Sequence, residues 1–185
     1  EGDERAFAQL VEAYERQVFN LCYRMLWDAP EAEDAAQETF LKAFRGLHRH
    51  DPGRPFRPWL LAIASHHCID RLRRRRLRLT SLEDLQGEDV PAAPTPGPEA
   101  TALEREQSRR VQQMLAGLAP KERAAVVLRY WYDLSYVEIG QALSLSESAV
   151  KSRLHRSRRQ LADLWRAGEE KALAAGGRQN EPSAA

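Results

Sequence analysis

The sequence predicts an all-α protein made of two small helical domains joined by a flexible proline-rich linker, the second domain containing a helix-turn-helix. Three observations carry that expectation. Of the 185 residues, 43% are hydrophobic and 30% are charged, and β-branched or aromatic runs are few, a balance that favours solvated amphipathic helices over sheets. Apolar residues recur at helical spacing on both sides of the chain's midpoint. Between them, EDVPAAPTPGPEAT (residues 88–101) holds four prolines and a glycine with no periodic apolar stripe, so it continues neither fold. The expected boundaries are 1–79 for the N-terminal domain, 80–99 for the linker, 100–168 for the C-terminal domain and 169–185 for a mobile tail. As a coil the linker and its polar flank span on the order of 25–30 Å.

In the N-terminal unit Phe7, Leu10, Val11, Tyr14, Val18, Leu21, Cys22 and Met25 form one apolar stripe, which predicts one long or two short consecutive helices. Asp28, Pro30, Glu31, Glu33 and Asp34 mark a helix start, because acids suit the positive end of the helix dipole and proline suits the first turn. The helix that follows, from about 30 to 46, has an apolar side of Ala36, Phe40, Ala43, Phe44 and Leu47. A second stripe of Asp34, Glu38, Leu41 and Arg45 is left free to meet a partner. A loop at Asp51-Pro52-Gly53 and Pro55 precedes another helix, Trp59 to Arg76, that ends in RRRR.

The C-terminal unit opens around Glu99 with a helix broken at Pro120, and helices are expected at about 120–131, 136–143 and 147–166. Ser135 and Glu138 make a capping box, Ser144-Leu145-Ser146 a tight turn, and Ser146 a cap for the last helix. At about 100° per residue, Val150, Leu154, Ser157, Leu161 and Leu164 share one face of that helix. Ser148, Lys151, Ser152, His155, Arg156 and Arg159 share the other. One face packs and the other presents donors, with small serines permitting close approach, as reading a DNA major groove requires.

Charge is segregated along the chain although the net is only +1. Residues 1–44 hold ten acids and four bases, 45–79 two acids and ten arginines, 80–107 seven acids and one base, and 146–166 two acids and six bases. Basic blocks of this density suit phosphate-rich partners. No apolar run approaches the roughly 20 residues that cross a bilayer, so no membrane insertion is expected. An acidic opening shows no secretory signal, and two cysteines without CxxC spacing point to reduced, buried thiols. A cytoplasmic protein is the expectation.

The strings EAEDAAQETFLKAFR (Glu31 to Arg45) and PFRPWLLAIASHHCIDRLRRRR (Pro55 to Arg76) closely resemble the polymerase-binding and promoter-melting helices of bacterial sigma factors. LSYVEIGQALSLSESAVKSRLHRSRRQL (Leu134 to Leu161) resembles the domain of those proteins that reads the upstream, minus-35 element. The absence of a sizeable domain between them points to the small extracytoplasmic-function class. The resemblance implies that Asp34, Gln37, Glu38 and Leu41, with Arg45 nearby, contact the coiled coil on the clamp of core RNA polymerase, and that the C-terminal domain meets its flap. It implies that the loop from His48 to Arg57, with His50, Arg54 and Arg57, holds a base flipped from the melted minus-ten strand. Arg71, Arg73, Arg74, Arg75 and Arg76 would then track that strand, and His66, standing where many members carry asparagine, would help select a minus-ten base. Extruding a base costs a few kcal/mol, so a pocket and a cationic groove are both needed. The linker would thread toward the RNA exit path, and an anti-sigma factor is an expected partner.

Other readings compete poorly. His48, His50, His66, His67 and Cys68 match no zinc spacing, and adjacent helical residues point to different faces, so neither metal nor cofactor is expected. No converging carboxylates, phosphate-cradling glycine loop or nucleophile–base pair appears, which argues against an enzyme. The alternative is a stand-alone helix-turn-helix regulator, for which the acidic stripe and the base-holding loop would have no purpose.

Overall fold

The computed structural model describes residues 4–82 and 102–176, the side chains at 79–82, 102–105 and 171–176 excepted. Most of the expected linker and the end of the tail lie outside the described residues. Among those described there is no strand. No described helix is long and apolar enough to cross a membrane.

The N-terminal half consists of α1 (Glu4–Leu26), α2 (Ala29–Gly46), a 3-10 turn (Leu47–Arg49) and α3 (Phe56–Leu82). The apolar stripe makes α1 a single helix, burying Val18, Leu21, Cys22, Met25 and Leu26. Trp27, in the left-handed region at φ 54°, turns the chain, and Asp28 then accepts from the Glu31 N–H at 2.8 Å while Pro30 occupies the first turn of α2. The buried side of α2 is Ala32, Ala35, Ala36, Thr39 and Ala43, and the Thr39 hydroxyl returns to the Ala35 carbonyl at 2.7 Å. Phe44, expected inside, is 41% exposed and packs edge-on against Phe7 at 4.9 Å between centroids. Small side chains on the buried face let α2 lie close to α1, and Phe44 falls at the margin of that contact.

Leu60, Leu61, Ala64, Cys68 and Ile69 carry α3 into the same core. Each fully buried leucine or isoleucine contributes roughly 1.5–3 kcal/mol. Cys68 is hydrogen-bonded to Cys22, and that contact with burial pushes its thiol well above the usual range, so the pair behaves as inert core thiols. Helix α3 runs to Leu82, past the expected end at Arg76. Arginine is a good helix former, and the RRRR run extends the helix rather than closing it.

In the C-terminal half, α4 (Ala102–Ala116), α5 (Pro120–Tyr130), α6 (Tyr136–Leu143) and α7 (Glu147–Gly176) bury Leu115, Leu118, Leu128, Ile139, Leu143, Val150 and Leu154. The two halves touch directly: α1 and α3 pack against α5, and α3 also against α6. At that contact the Arg123 guanidinium donates to the carbonyls of Met25 and Ala116, and the Tyr132 hydroxyl donates to the Gln17 carbonyl at 2.6 Å. The expected end of α7 at about 166 is exceeded by ten residues. Gly168, the last residue of the expected C-terminal domain, lies against Arg110, whose guanidinium stacks on Trp165 at 3.5 Å and donates to its carbonyl.

Candidate nucleic-acid interface

The helix-turn-helix is built from its caps. The Ser135 hydroxyl accepts from the Glu138 N–H at 3.2 Å, and the Glu138 carboxylate accepts in return from the Ser135 N–H at 2.8 Å. These bonds hold the Glu138 carboxyl below its usual range. After α6 the chain turns through Ser144 at φ 55°, and the Leu145 N–H donates to the Gly140 carbonyl at 2.8 Å. Ser146 then caps α7 by accepting from the Ala149 N–H at 3.3 Å.

On α7 the packing face holds Val150, Leu154 and Ser157, all buried, and Leu161, partly so; Leu164, expected with them, is 37% exposed and lies beside Gly117 at the margin of that face. Ser148, Lys151, Ser152, His155, Arg156 and Arg159 are all exposed. Two of them are tethered at their base: Lys151 pairs with Glu147 at 2.7 Å, and Arg156 approaches Glu122 at 3.9 Å. The Lys151–Glu147 pair is exposed on both sides and worth little, and Arg156 is itself exposed at a long 3.9 Å from the more buried Glu122, so each cation can be redirected to a phosphate or a guanine edge.

On α2, Asp34, Gln37, Glu38, Leu41 and Arg45 are exposed as one stripe, with Leu41 48% exposed. An apolar side chain offered in a polar row is what a helix presents to a partner helix.

The loop after α2 forms one wall of a groove of about 620 Å³. Asp51 organises it, accepting from the Gly53 N–H through its side chain at 2.9 Å and from the Arg54 N–H through its carbonyl at 2.9 Å. The His50 ring lies 4.8 Å from Trp59 and 5.7 Å from Phe56, and its Nε2 is buried without a partner. An aromatic wall of this kind can stack a base. Arg54 stands exposed at the rim, in a loose pair with Asp51 at 3.6 Å.

Along α3, His66 is exposed, whereas its neighbours are committed elsewhere. Ser65 is fully buried, and His67 Nδ1 accepts from the Lys42 ammonium at 2.7 Å. Arg73, Arg74 and Arg76 are exposed, and Arg75 lines the cleft between the halves beside Trp27 and Arg123. Two arginines expected on DNA, Arg57 of the base-holding loop and Arg71 of the strand-tracking helix, are engaged within the protein instead. Arg57 donates to Gln17 Oε1 at 2.9 Å and lies 5.7 Å over the Tyr132 ring. Arg71 donates to the Glu31 carbonyl at 3.1 Å and approaches Asp34 at 3.9 Å, because its position on α3 faces the first turn of α2. Sequence reasoning missed Arg24, Arg123, Trp131 and Tyr132, which join the halves. No local pattern distinguishes such residues from an ordinary basic or aromatic surface. Among the described residues, no three His, Cys, Asp or Glu side chains are placed to hold a metal ion.

Residues 10–78 match the family described as Sigma-70 region 2, and residues 108–161 match Sigma-70, region 4. The chain is 37% identical over 173 residues to the ECF RNA polymerase sigma factor SigW of Bacillus subtilis, covering 88% of this chain and 92% of that one. In structure it is similar to the sigma factor RpoE of Bartonella quintana in complex with the anti-sigma factor NepR, with a TM-score of 0.70 and 20% identity, over 88% of this chain and 98% of that one, a likeness of fold. It is also similar to CnrH in complex with the cytosolic domain of CnrY, with a TM-score of 0.65 and 26% identity over 90% and 91% of the two chains; a sigma factor of that name occurs in Cupriavidus metallidurans. Two matched regions in the order the helices require, with relatives aligned over nearly their full length, establish that the chain belongs to the extracytoplasmic-function RNA polymerase sigma factors.

Proposed function

We propose that this sigma factor reads the minus-35 element as duplex through Ser148, Lys151, Ser152, His155, Arg156 and Arg159 of α7, and the melted minus-ten strand through the groove of His50 and Arg54 and the basic side of α3. Arg73, Arg74, Arg75 and Arg76 follow the strand's backbone, and His66 faces a base of that strand. Arg57 joins them once freed from Gln17, and Arg71 contributes from the edge. Asp34, Gln37, Glu38, Leu41 and Arg45 dock on the coiled coil of the polymerase clamp, and the C-terminal half meets the flap. The single observation that carries this reading is the division of α7 into a buried face of Val150, Leu154 and Ser157 and a fully exposed face of donors.

Members of the family are transcription initiation factors, and the work required of these residues is binding and positioning; nucleotide addition belongs to the polymerase. Such a factor acts in the cytoplasm, where polymerase and DNA are. An anti-sigma factor is a fitting regulator, since solved relatives of this fold are complexes with an anti-sigma factor and with the cytosolic domain of CnrY. A stand-alone regulator would leave the exposed α2 stripe without a task.

The test is reconstituted transcription with core polymerase on a genomic fragment library. Transcripts sharing two separated elements upstream of their starts are expected, and they identify both motifs. A transcript set identical to that of core polymerase alone would sink the proposal.

A further inference from the structure

Between α3 and the turn that joins α4 to α5 lies a cleft of about 620 Å³, a volume that suits a small organic ligand. Its charge is one-sided. Arg75, Arg76 and Arg123 line it together with one carboxylate, Glu122, and that carboxylate is approached by Arg156 at 3.9 Å.

Arg123 is only 7% exposed, and its Nε has no hydrogen-bond partner. Its amino groups donate to the carbonyls of Met25 and Ala116, which carry no full charge. Burial first, then the charge of Arg75, lower its pKa to about 10, and among the described residues no carboxylate pairs with it. Arg75 is half-buried, and among the described residues it makes no hydrogen bond or ion pair. Two partly desolvated cations that repel one another are costly unless an anion joins them. The N-terminus of α5 adds to the same field. Ala119 caps that helix without a side-chain acceptor, Pro120 brings no N–H, and both line the cleft, so the positive end of the helix dipole lies there.

The remaining lining is largely apolar, with Leu26, Leu72, Leu118 and Trp27. Trp27 stands at φ 54°, a backbone conformation that glycine adopts far more readily than a bulky side chain. An indole kept there against that preference gives the cleft a face on which a planar ring can stack.

We propose that this cleft binds a nucleoside polyphosphate, its phosphates among Arg75, Arg76, Arg123 and the α5 N-terminus and its base against Trp27. Phosphates supply the charge that the arginines lack, and the base uses the apolar wall that a simple anion would leave in water. The site stands on the cleft alone. The reading of Arg75 and Arg76 as strand contacts adds its consequence, which is that occupancy withdraws both from the melted strand.

The experiment is isothermal titration calorimetry on the full native chain with ATP, GTP, inorganic triphosphate and adenosine. Salt is kept low and divalent cations are chelated, so that the phosphates keep their charge. ATP or GTP should bind at a single site, about tenfold tighter than triphosphate, because stacking of a base adds to the charge interaction. Adenosine should give no heat of binding. Arg75→Gln removes a cation without cutting a bond and should weaken the nucleotide about tenfold, the loss of one charge-assisted contact. Arg78→Gln removes the same charge from an exposed position of α3 outside the cleft and should change affinity less than about twofold. Trp27→Gly, which suits the left-handed backbone, should bring the nucleotide down to the affinity of triphosphate. Absence of nucleotide binding would overturn the site. So would equal weakening by Arg75→Gln and Arg78→Gln, which marks diffuse attraction to a basic helix, or equal affinity of nucleotide and triphosphate in the native chain. Failure of the strand reading looks different: the titrations would stand, and Arg75→Gln/Arg76→Gln holoenzyme would melt a promoter as well as the native one.

Discussion

A Cβ placed on Gly140 would stand 2.6 Å from the carbonyl oxygen of Leu145, closer than real Cβ atoms approach backbone. The contact arises because α6 must pass directly over the turn that leads into α7, with the Leu145 N–H bonded to the Gly140 carbonyl. Gly140→Ala is therefore expected to destabilise the C-terminal half by about 1–3 kcal/mol, the usual cost of forcing extra volume into a packed site. Thermal unfolding followed by circular dichroism checks it. Minus-35 reading should suffer while docking through α2 persists, and an unchanged melting profile would show that the turn can spread.

The docking stripe on α2 gives a second expectation. Asp34→Ala with Glu38→Ala should weaken binding to core polymerase and leave the fold intact, because both side chains are exposed on the side of α2 away from Ala32, Ala35 and Ala43. The loose Asp34–Arg71 pair, at 3.9 Å, adds at most about 1 kcal/mol of stability. Fluorescence anisotropy against labelled polymerase decides the matter, and unchanged affinity rules out this surface.

For the recognition helix, Lys151→Ala or Arg156→Ala should reduce use of the minus-35 element. The loss is about 1–3 kcal/mol where the residue reads a base, and smaller with a shallower salt slope where it grips phosphate. Binding to duplex minus-35 DNA at several salt concentrations separates the two. If neither substitution changes binding, the helix does not read DNA.

The pairing of Lys42 with His67 predicts an acid sensitivity. Burial first, then the charges of Lys42 and Arg71, lower the pKa of His67, with Glu38 and Asp70 opposing them. The folded state thus resists a proton that the unfolded chain accepts near pH 6.5. The His67 contribution to stability is fully present above that pH and declines as the pH falls below it. His67→Gln, which can still accept from Lys42, should flatten the stability profile between about pH 7 and 5. Denaturant unfolding at a series of pH values measures this, and identical slopes for both chains would show that the His67 proton is not linked to folding.

Much of this architecture was legible because its chemistry is local. Asp28 with Pro30, and Ser135 with Glu138, announce helix starts through bonds made within three residues, and both caps form as expected. The exposed donors of α7 followed from periodicity alone. What escaped depends on neighbours distant in sequence. The buried face of α2 is mostly alanine, a weak apolar signal, so the larger Phe44 drew the face toward itself. Arg57 and Arg71 look like any arginine beside RRRR, yet Gln17 and Glu31, each 40 residues away, engage them. The contacts of α5 and α6 with the N-terminal half have no periodic signature, since they are a property of two halves meeting.

The last expectation concerns His66, where the resemblance to sigma factors implies an asparagine. Around it the geometry is selective: Ser65 is fully buried and His67 is held by Lys42, which leaves His66 as the exposed polar group of the three. An asparagine amide donates and accepts at once. A neutral imidazole does the same with a different reach, and a protonated one only donates. A base edge that both donates and accepts would meet different partners in the two cases. His66→Asn is therefore expected to shift base preference within the minus-ten element while leaving polymerase binding and minus-35 use unchanged. Transcription from promoters randomised across the minus-ten element reads that preference directly. The shift should concentrate at one position, because a single side chain reaches one base. A uniform loss across positions would instead mark His66 as a backbone contact, and identical preferences for the two chains would remove it from base selection altogether.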